Sequence, residues 1–265
     1  MKTKRILPLL LALMLALALT GCGNHSVPNE TQSVELTVFA AASLQETLTE
    51  LGDKYMEANE NITIVFTFDS SGTLKSQIEN GAHCDIFISA GQKQMDGLSE
   101  LLLEGSRFDI LENKVALVVP EDNRAGIHSF DDLVFALEQG TALLAMGNSD
   151  VPVGQYTQKI LTYFGLNEAE LAAKGCITYG SNVKEVATQV SEAAVDCGVI
   201  YQTDACSAGL TVVDTATAEL CGQVIYPAAV LNGSNHTAEA QAFLDYLTSD
   251  EADGVFEAVG FTPIG

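Results

Sequence analysis

Short runs of almost continuous apolar residues alternate with segments of helical period along most of the chain. VELTVFA (34–40), ITIVFTF (62–68), CDIFIS (84–89), NKVALVVP (113–120), ALLAM (142–146), CITYG (176–180), CGVIY (197–201), LTVVD (210–214) and QVIYPAAVL (223–231) read as strands. They are brief, rich in β-branched residues and apolar on both faces, as strands buried on both sides are. Residues 43–59, 73–80, 92–105, 130–139, 154–165 and 182–193 space their apolar positions as amphipathic helices do, and 236–249 and 250–260 end the chain in the same way. The alternation predicts an α/β protein with parallel sheets covered by helices on both faces. Its length suits two lobes, with crossovers expected near Val115–Val119 and Val224–Tyr226, so that 34–116 with 226–265 form one lobe and 117–225 the other.

The N-terminus breaks the pattern. MKTKR, the apolar run ILPLLLALMLALAL (6–19) and then TGCGN give a basic start, a hydrophobic stretch shorter than the ~20 residues of a membrane span, and a small-residue cleavage zone. Residues 1–21 are read as an export signal. Leu19-Thr20-Gly21-Cys22 resembles the bacterial lipobox, which makes Cys22 the expected lipid-bearing N-terminus and 22–33 a polar tether. The protein is therefore expected outside the cytoplasm, lipid-anchored to the outer face of the cell membrane.

Loss of residues 1–21 removes Lys2, Lys4 and Arg5, so the net charge of −23 becomes −26 on 244 residues. No basic footprint is left for nucleic acid or for an anionic membrane surface. Beyond Cys22 the five cysteines, Cys84, Cys176, Cys197, Cys206 and Cys221, show neither CxxC nor regular spacing. They read as small buried hydrophobes rather than a disulfide framework or a zinc site, with a Cys197–Cys206 bridge left open. GxSxG is absent, and His25, His83, His128 and His236 stand away from the turns described next, so a hydrolase with Ser71 as nucleophile is not expected.

Four strand-to-helix turns share one character: Ala40-Ala41-Ala42-Ser43, Asp69-Ser70-Ser71-Gly72, Asp150-Val151-Pro152-Val153-Gly154 and Gly180-Ser181-Asn182-Val183. In an open α/β sheet such turns lie beyond the carboxyl ends of the strands, where ligands bind. Each brings a helix N-terminus, worth roughly +0.5 of an elementary charge, and free amide donors. Taken singly, each turn is an ordinary cap. Taken together, and with Tyr201 ending CGVIY at the same sheet edge, they describe a seat for an anion.

VFAAASL (38–44), FDSSGTLKSQIENGAHCDIFISAGQKQMD (68–96), VPVGQY (151–156), GVIYQTDA (198–205) and the endings YPAAVL and GFTPIG resemble the substrate-binding component of molybdate ABC transporters, over nearly all of 34–265. The resemblance implies a type II periplasmic-binding-protein-like fold: two α/β lobes, each a mainly parallel sheet flanked by helices, closing on a tetrahedral oxyanion in the cleft between them. It implies molybdate, with tungstate beside it, as ligand, a transporter permease as partner, a monomer, no enzymatic activity, no cofactor and no metal cation. Carried over by motif, the oxyanion is held by the hydroxyls of Ser43 and Ser71, the backbone N–H groups of Val153 and Val183, and the phenol of Tyr201. Two positions depart from the family pattern. Val153 stands where Ala is frequent, and Asp69 stands where a small neutral residue is expected, with its carboxylate expected to point away from the site. Sulfate and phosphate are the nearest alternative ligands.

A donor-only set of this kind answers how so acidic a chain seats an anion. Molybdate is an acceptor-only dianion, and neutral donors avoid burying a fixed cation. Surface carboxylates beyond about 8 Å are largely screened at physiological salt.

Overall fold

Strand β1 (Val34–Ala41) sets the frame of the first sheet, pairing in parallel with β2 (Ile62–Asp69) in unbroken register from Val34 opposite Ile62 to Ala41 opposite Asp69. The computed structural model describes residues 33–265; the expected signal (1–21), Cys22 and the tether up to Gln32 lie outside the described residues. On its other side β1 pairs in parallel with β3 (Ile86–Ile88). The sheet is completed by β4 (Phe108–Asn113) and by two strands from the end of the chain, Val224–Val230 and Thr262–Pro263. A second sheet is opened by β5 (Val115–Val119), all five residues of which are buried, so that one residue, Lys114, separates a strand of one sheet from a strand of the other.

Four further strands join β5 in the second sheet: β6 (Leu144–Gly147), β7 (Ile177–Gly180), β8 (Cys197–Tyr201) and β9 (Thr211–Thr215), in the order β7-β6-β8-β5-β9. With Val224–Val230 as β10 and Thr262–Pro263 as β11, the first sheet runs β11-β4-β10-β3-β1-β2. Each sheet is mixed. β6 pairs in parallel with β7 and β8, while β5 is antiparallel to β8 and β9, and β10 is antiparallel to β3 and β4. The antiparallel pairs all involve strands that border the two passages between sheets, β4, β5, β9 and β10. This is the two-lobe α/β fold, and the carboxyl ends of β1, β2, β6, β7 and β8 carry the turns singled out in the sequence.

Several short elements escape the periodicity. FDILEN places charged residues among its apolar ones and forms β4 nonetheless, as a bridge between β10 and β11. The single helix expected over 92–105 is two pieces, Gln92–Asp96 (the third α-helix of the described chain, α3) and a 3-10 turn at Ser99–Leu101, parted at Gly97. The two helices before it are α1 (Gln45–Ala58) and α2 (Ser71–Glu79).

The five cysteines of the described residues are free thiols. Cys197 is buried in β8 and Cys206 is exposed, so the bridge left open between them does not form. Among the described residues no group of His, Cys, Asp and Glu is arranged to hold a metal ion, and no helix is long and apolar enough to cross a membrane.

Candidate functional site

At each of the four turns the cap and the candidate ligand are different residues. Ser70, not Ser71, caps α2: its Oγ accepts from the Thr73 N–H at 3.1 Å. Ser71 is thereby free of capping duty at the first helical position, fully buried, with its Oγ accepting from the Ala90 N–H at 2.9 Å. Likewise Asn182 caps the helix Val183–Ser191, accepting from the Glu185 N–H at 3.1 Å while Glu185 Oε2 reaches back to the Ser181 N–H at 2.7 Å. That reciprocal arrangement fixes the turn and leaves Val183 as the first helical residue. The helix Pro152–Tyr163 begins on Val151 with no side-chain cap, and Pro152 at its first position has no N–H, so Val153 carries the first amide of that helix. Ser43 lies in the 3-10 turn Ala42–Leu44 that leads into α1, nearly buried, with its Oγ 2.9 Å from the Tyr226 hydroxyl.

The four turns meet. They line a small, partly open void of about 10 Å³, room for about one water, with Ser43, Ser71, Val183 and Tyr201 on its wall together with Ala90, Pro152 and Asp69. Val153 is not among the lining residues: its side chain is completely buried in the core, one residue behind Pro152, which leaves its backbone N–H as its only route to a ligand. Tyr201 is 1% exposed and directs its hydroxyl to the Ala90 carbonyl at 3.3 Å. Burial pushes this phenol well above its ordinary pKa, so it stays a protonated donor. Asp69, expected to point away, is half-buried and lines the void, with Oδ1 accepting from the Ser70 N–H at 2.7 Å. None of His83, His128 and His236 is among the lining residues.

The model of the bacterial extracellular solute-binding protein family matches residues 36–262. The chain belongs to that family. Among its relatives, YvgL of Bacillus subtilis, whose name places it provisionally with the ABC transporter substrate-binding lipoproteins, is 35% identical over 259 residues and 95% of each chain. The molybdate-binding protein ModA of Haemophilus influenzae is 33% identical over 238 residues, covering 87% of this chain and 91% of its own. The solved periplasmic molybdate-binding protein of Azotobacter vinelandii superposes with a TM-score of 0.75 at 23% identity, over 87% of this chain and all of that one, a likeness of fold.

In a solute-binding protein of two lobes, contacts that span the cleft matter as much as its lining. Gly72 on the β1–β3 side donates its N–H to the Asp150 carbonyl on the β6 side at 3.1 Å. A Cβ at Gly72 would come within 2.1 Å of that carbonyl oxygen, so only glycine permits the approach. Lys184, the residue after Val183, binds Glu46 of α1 across the cleft and also lies 3.0 Å from Asp204 Oδ1 in its own lobe. Asp204 is 1% exposed and makes no aligned hydrogen bond, and burial raises its carboxyl pKa to about 6 even with the Lys184 ammonium opposing the shift.

Sequence reasoning named neither Lys184, Ala90, Asn113 nor Tyr226. Lys184 sits inside the helical pattern of 182–193, where a solvated lysine is the ordinary expectation. Tyr226 occurs in the YPAAVL run that carried the resemblance, yet a tyrosine in a strand reads as core until its hydroxyl is seen 2.9 Å from Ser43.

Proposed function

We propose that this protein is an extracytoplasmic receptor that captures molybdate, and tungstate with it, for delivery to an ABC importer. The observation that carries this reading is the convergence of Ser43, Ser71, Val183 and Tyr201 on one small void between two lobes, which must part to admit an oxyanion. Hydroxyls, a phenol that stays protonated and helix-start amides form a neutral set of donors, which suits a fully deprotonated tetrahedral dianion. Ser43, Ser71 and Tyr201 donate O–H groups, and Val153 and Val183 donate backbone N–H groups from the starts of their helices. Ser71 Oγ keeps the Ala90 N–H as its donor and has its own proton free for the anion, whereas the Tyr201 O–H, which donates to the Ala90 carbonyl in this structure, turns from it to the anion. The ModA name of the Haemophilus relative supports molybdate as the ligand. No cofactor takes part and no bond of the ligand is broken, so the protein acts as a binder rather than an enzyme.

The chain works as a monomer whose lobes, 34–116 with 226–265 and 117–225, close on the anion and then present it to a membrane permease. A lipid on Cys22 tethers it to the outer face of the membrane, and the lipoprotein name of YvgL supports that placement. One acyl chain binds membranes only marginally, so the multiply acylated cysteine of lipoproteins suits the role.

Calorimetric titration with molybdate, tungstate, sulfate and phosphate tests the reading. Tight saturable binding of molybdate and tungstate with weak sulfate binding is the expected result; preference for sulfate or phosphate would replace it. Phosphate is the second reading, and Asp69 on the wall of the void is the observation that favours it, since monohydrogen phosphate carries a proton that a carboxylate accepts.

A further inference from the structure

A chain of buried hydrogen bonds ends on Ser43, and its direction is fixed at the far end. The backbone N–H of Lys114, which can only donate, is 2.8 Å from Asn113 Oδ1. That contact settles which end of the Asn113 amide is oxygen and which is nitrogen. The Nδ2 group then donates one hydrogen to Thr203 Oγ1 at 2.9 Å and the other to the Tyr226 hydroxyl at 3.2 Å. Tyr226 is fully buried, and its own O–H needs an acceptor. Ser43 Oγ stands 2.9 Å away. Tyr201, whose ring packs edge-on to Tyr226 with centroids 5.8 Å apart, gives its own proton to the Ala90 carbonyl and so does not replace Asn113 as donor to Tyr226. Asn113 ends β4 and Tyr226 lies in β10, so the chain runs through the strands that border the passage between the lobes.

We infer that Asn113 and Tyr226 are positioning residues that orient the hydroxyl of Ser43, so that Ser43 meets the bound anion as a donor only. With Tyr226 donating into Ser43 Oγ, the serine proton is left to point into the void. A donor so committed strengthens binding of an acceptor-only oxyanion and repels the O–H of a protonated one. The inference rests on the oxyanion reading above and extends it from which groups line the site to what sets their polarity.

The polarity can be reversed at its origin. In Asn113→Asp both side-chain oxygens accept: one keeps the Lys114 N–H and the other takes the Tyr226 proton. Tyr226 then accepts from Ser43, and Ser43 turns a lone pair to the ligand. Dissociation constants for molybdate and phosphate are measured by calorimetry in mildly alkaline buffer, where both are mainly dianions and the added charge at residue 113 cancels in their ratio. Asn113→Asp is expected to narrow the preference for molybdate over phosphate by about tenfold or more, the loss of one charge-assisted hydrogen bond on one side and the gain of one on the other. Tyr226→Phe keeps the ring packing and frees Ser43 to adopt either polarity, so it narrows the same ratio by a smaller factor, and it decides the matter if Asn113→Asp does not fold. A ratio within twofold of the parent in the folded variants overturns the inference while molybdate binding by the parent stands. A parent that binds no oxyanion overturns the underlying reading and this inference with it.

Discussion

Lys184 Nζ lies 2.8 and 2.9 Å from the two carboxylate oxygens of Glu46, and the two residues belong to opposite lobes. In sequence the pair sits one residue from Val183 and three from Ser43, both of which line the void. It joins the lobes only when they are closed, so it acts on closure and not on the folding of either lobe. The Glu46 side chain is half exposed, which limits the pair to about 0.5–1 kcal/mol. Glu46→Gln is expected to weaken oxyanion binding by roughly two- to fivefold, chiefly through faster release. Stopped-flow release rates at low and high salt check this. The difference between parent and variant should shrink with salt, as an exposed ion pair requires.

Beneath the same lysine, Asp204 gives the protein a pH dependence of unusual sign. Burial raises its pKa to about 6, against the pull of Lys184 and with Glu46 adding to the rise. A carboxyl raised above its unfolded value binds protons more readily when folded, so its contribution is fully present below about pH 4 and is lost as pH rises through about 6. Asp204→Asn removes that dependence. In the variant, stability relative to the parent should grow by about 2–3 kcal/mol between pH 4 and pH 7, because each pH unit between the unfolded and folded pKa is worth ~1.4 kcal/mol. Thermal unfolding across that range provides the test, and a constant difference between the two proteins would count against it.

Gly72 tests whether closure is needed for binding. Its Cβ would press on a backbone carbonyl of the opposite lobe at 2.1 Å, and backbone cannot swing aside. Within its own helix the position has no positive φ and alanine suits the first turn. Gly72→Ala should therefore fold with an unchanged or slightly higher melting temperature in the absence of ligand, yet bind molybdate at least about a hundredfold more weakly, a loss of about 2.8 kcal/mol. Small-angle scattering should show no compaction on adding molybdate. Parent-like affinity would mean the lobes need not meet at this contact.

The strands were legible because burial on both faces writes itself as continuous β-branched runs: β5 and β8, entirely buried, were read from VALVV and CGVIY. The four turns were legible because chain order alone places them beyond the carboxyl ends of parallel strands. The mixed character of the sheets was not, since a strand entering from the other lobe carries the same residues in either direction. Nor were the short elements: Gln202–Ala208 is a two-turn helix whose character depends on Thr203, Asp204 and Ala205 packing inward, not on any period long enough to measure. Lys184 and Tyr226 escaped for a different reason. Their partners, Glu46 and Ser43, are 138 and 183 residues distant, and no local pattern reports a contact of that separation.

Ser71 and Tyr201 each offer one hydroxyl to the anion. A hydrogen bond to a charged group contributes about 1.5–3 kcal/mol, so Ser71→Ala and Tyr201→Phe should each weaken molybdate binding by roughly tenfold to 150-fold. Both side chains also touch Ala90, from whose N–H Ser71 accepts and to whose carbonyl Tyr201 donates. Ser71→Ala thus leaves a buried amide unpaired and should lower the melting temperature as well, whereas Tyr201→Phe leaves a carbonyl short of one donor and should lower it less. Affinities within twofold of the parent for both variants would remove them from the site.

Asp69 decides between the two oxyanion readings. Its Oδ1 is tied to the Ser70 N–H at 2.7 Å, a short local bond that holds the carboxylate against the start of α2. Asp69 lines the void, yet with Oδ1 occupied by the Ser70 amide it is committed to the start of α2, so the donors of Ser43, Ser71 and Tyr201 are expected to dominate the contact with the ligand and to leave the proton of monohydrogen phosphate poorly matched. Molybdate and tungstate carry no proton at neutral pH and are larger than sulfate, which in a pocket sized for them leaves some donors out of reach. A ligand at about 100 times its dissociation constant adds about 2.7 kcal/mol to stability, a melting shift on the order of 5–10 °C for a chain of this size. That shift is expected with molybdate and tungstate, a small one with sulfate and none with phosphate at equal concentration. Asp69→Ala should then raise molybdate affinity modestly by removing a nearby negative charge, and leave phosphate binding weak. If instead phosphate gives a shift equal to or above that of molybdate and Asp69→Ala abolishes it, the carboxylate accepts the phosphate proton and the protein is a phosphate receptor.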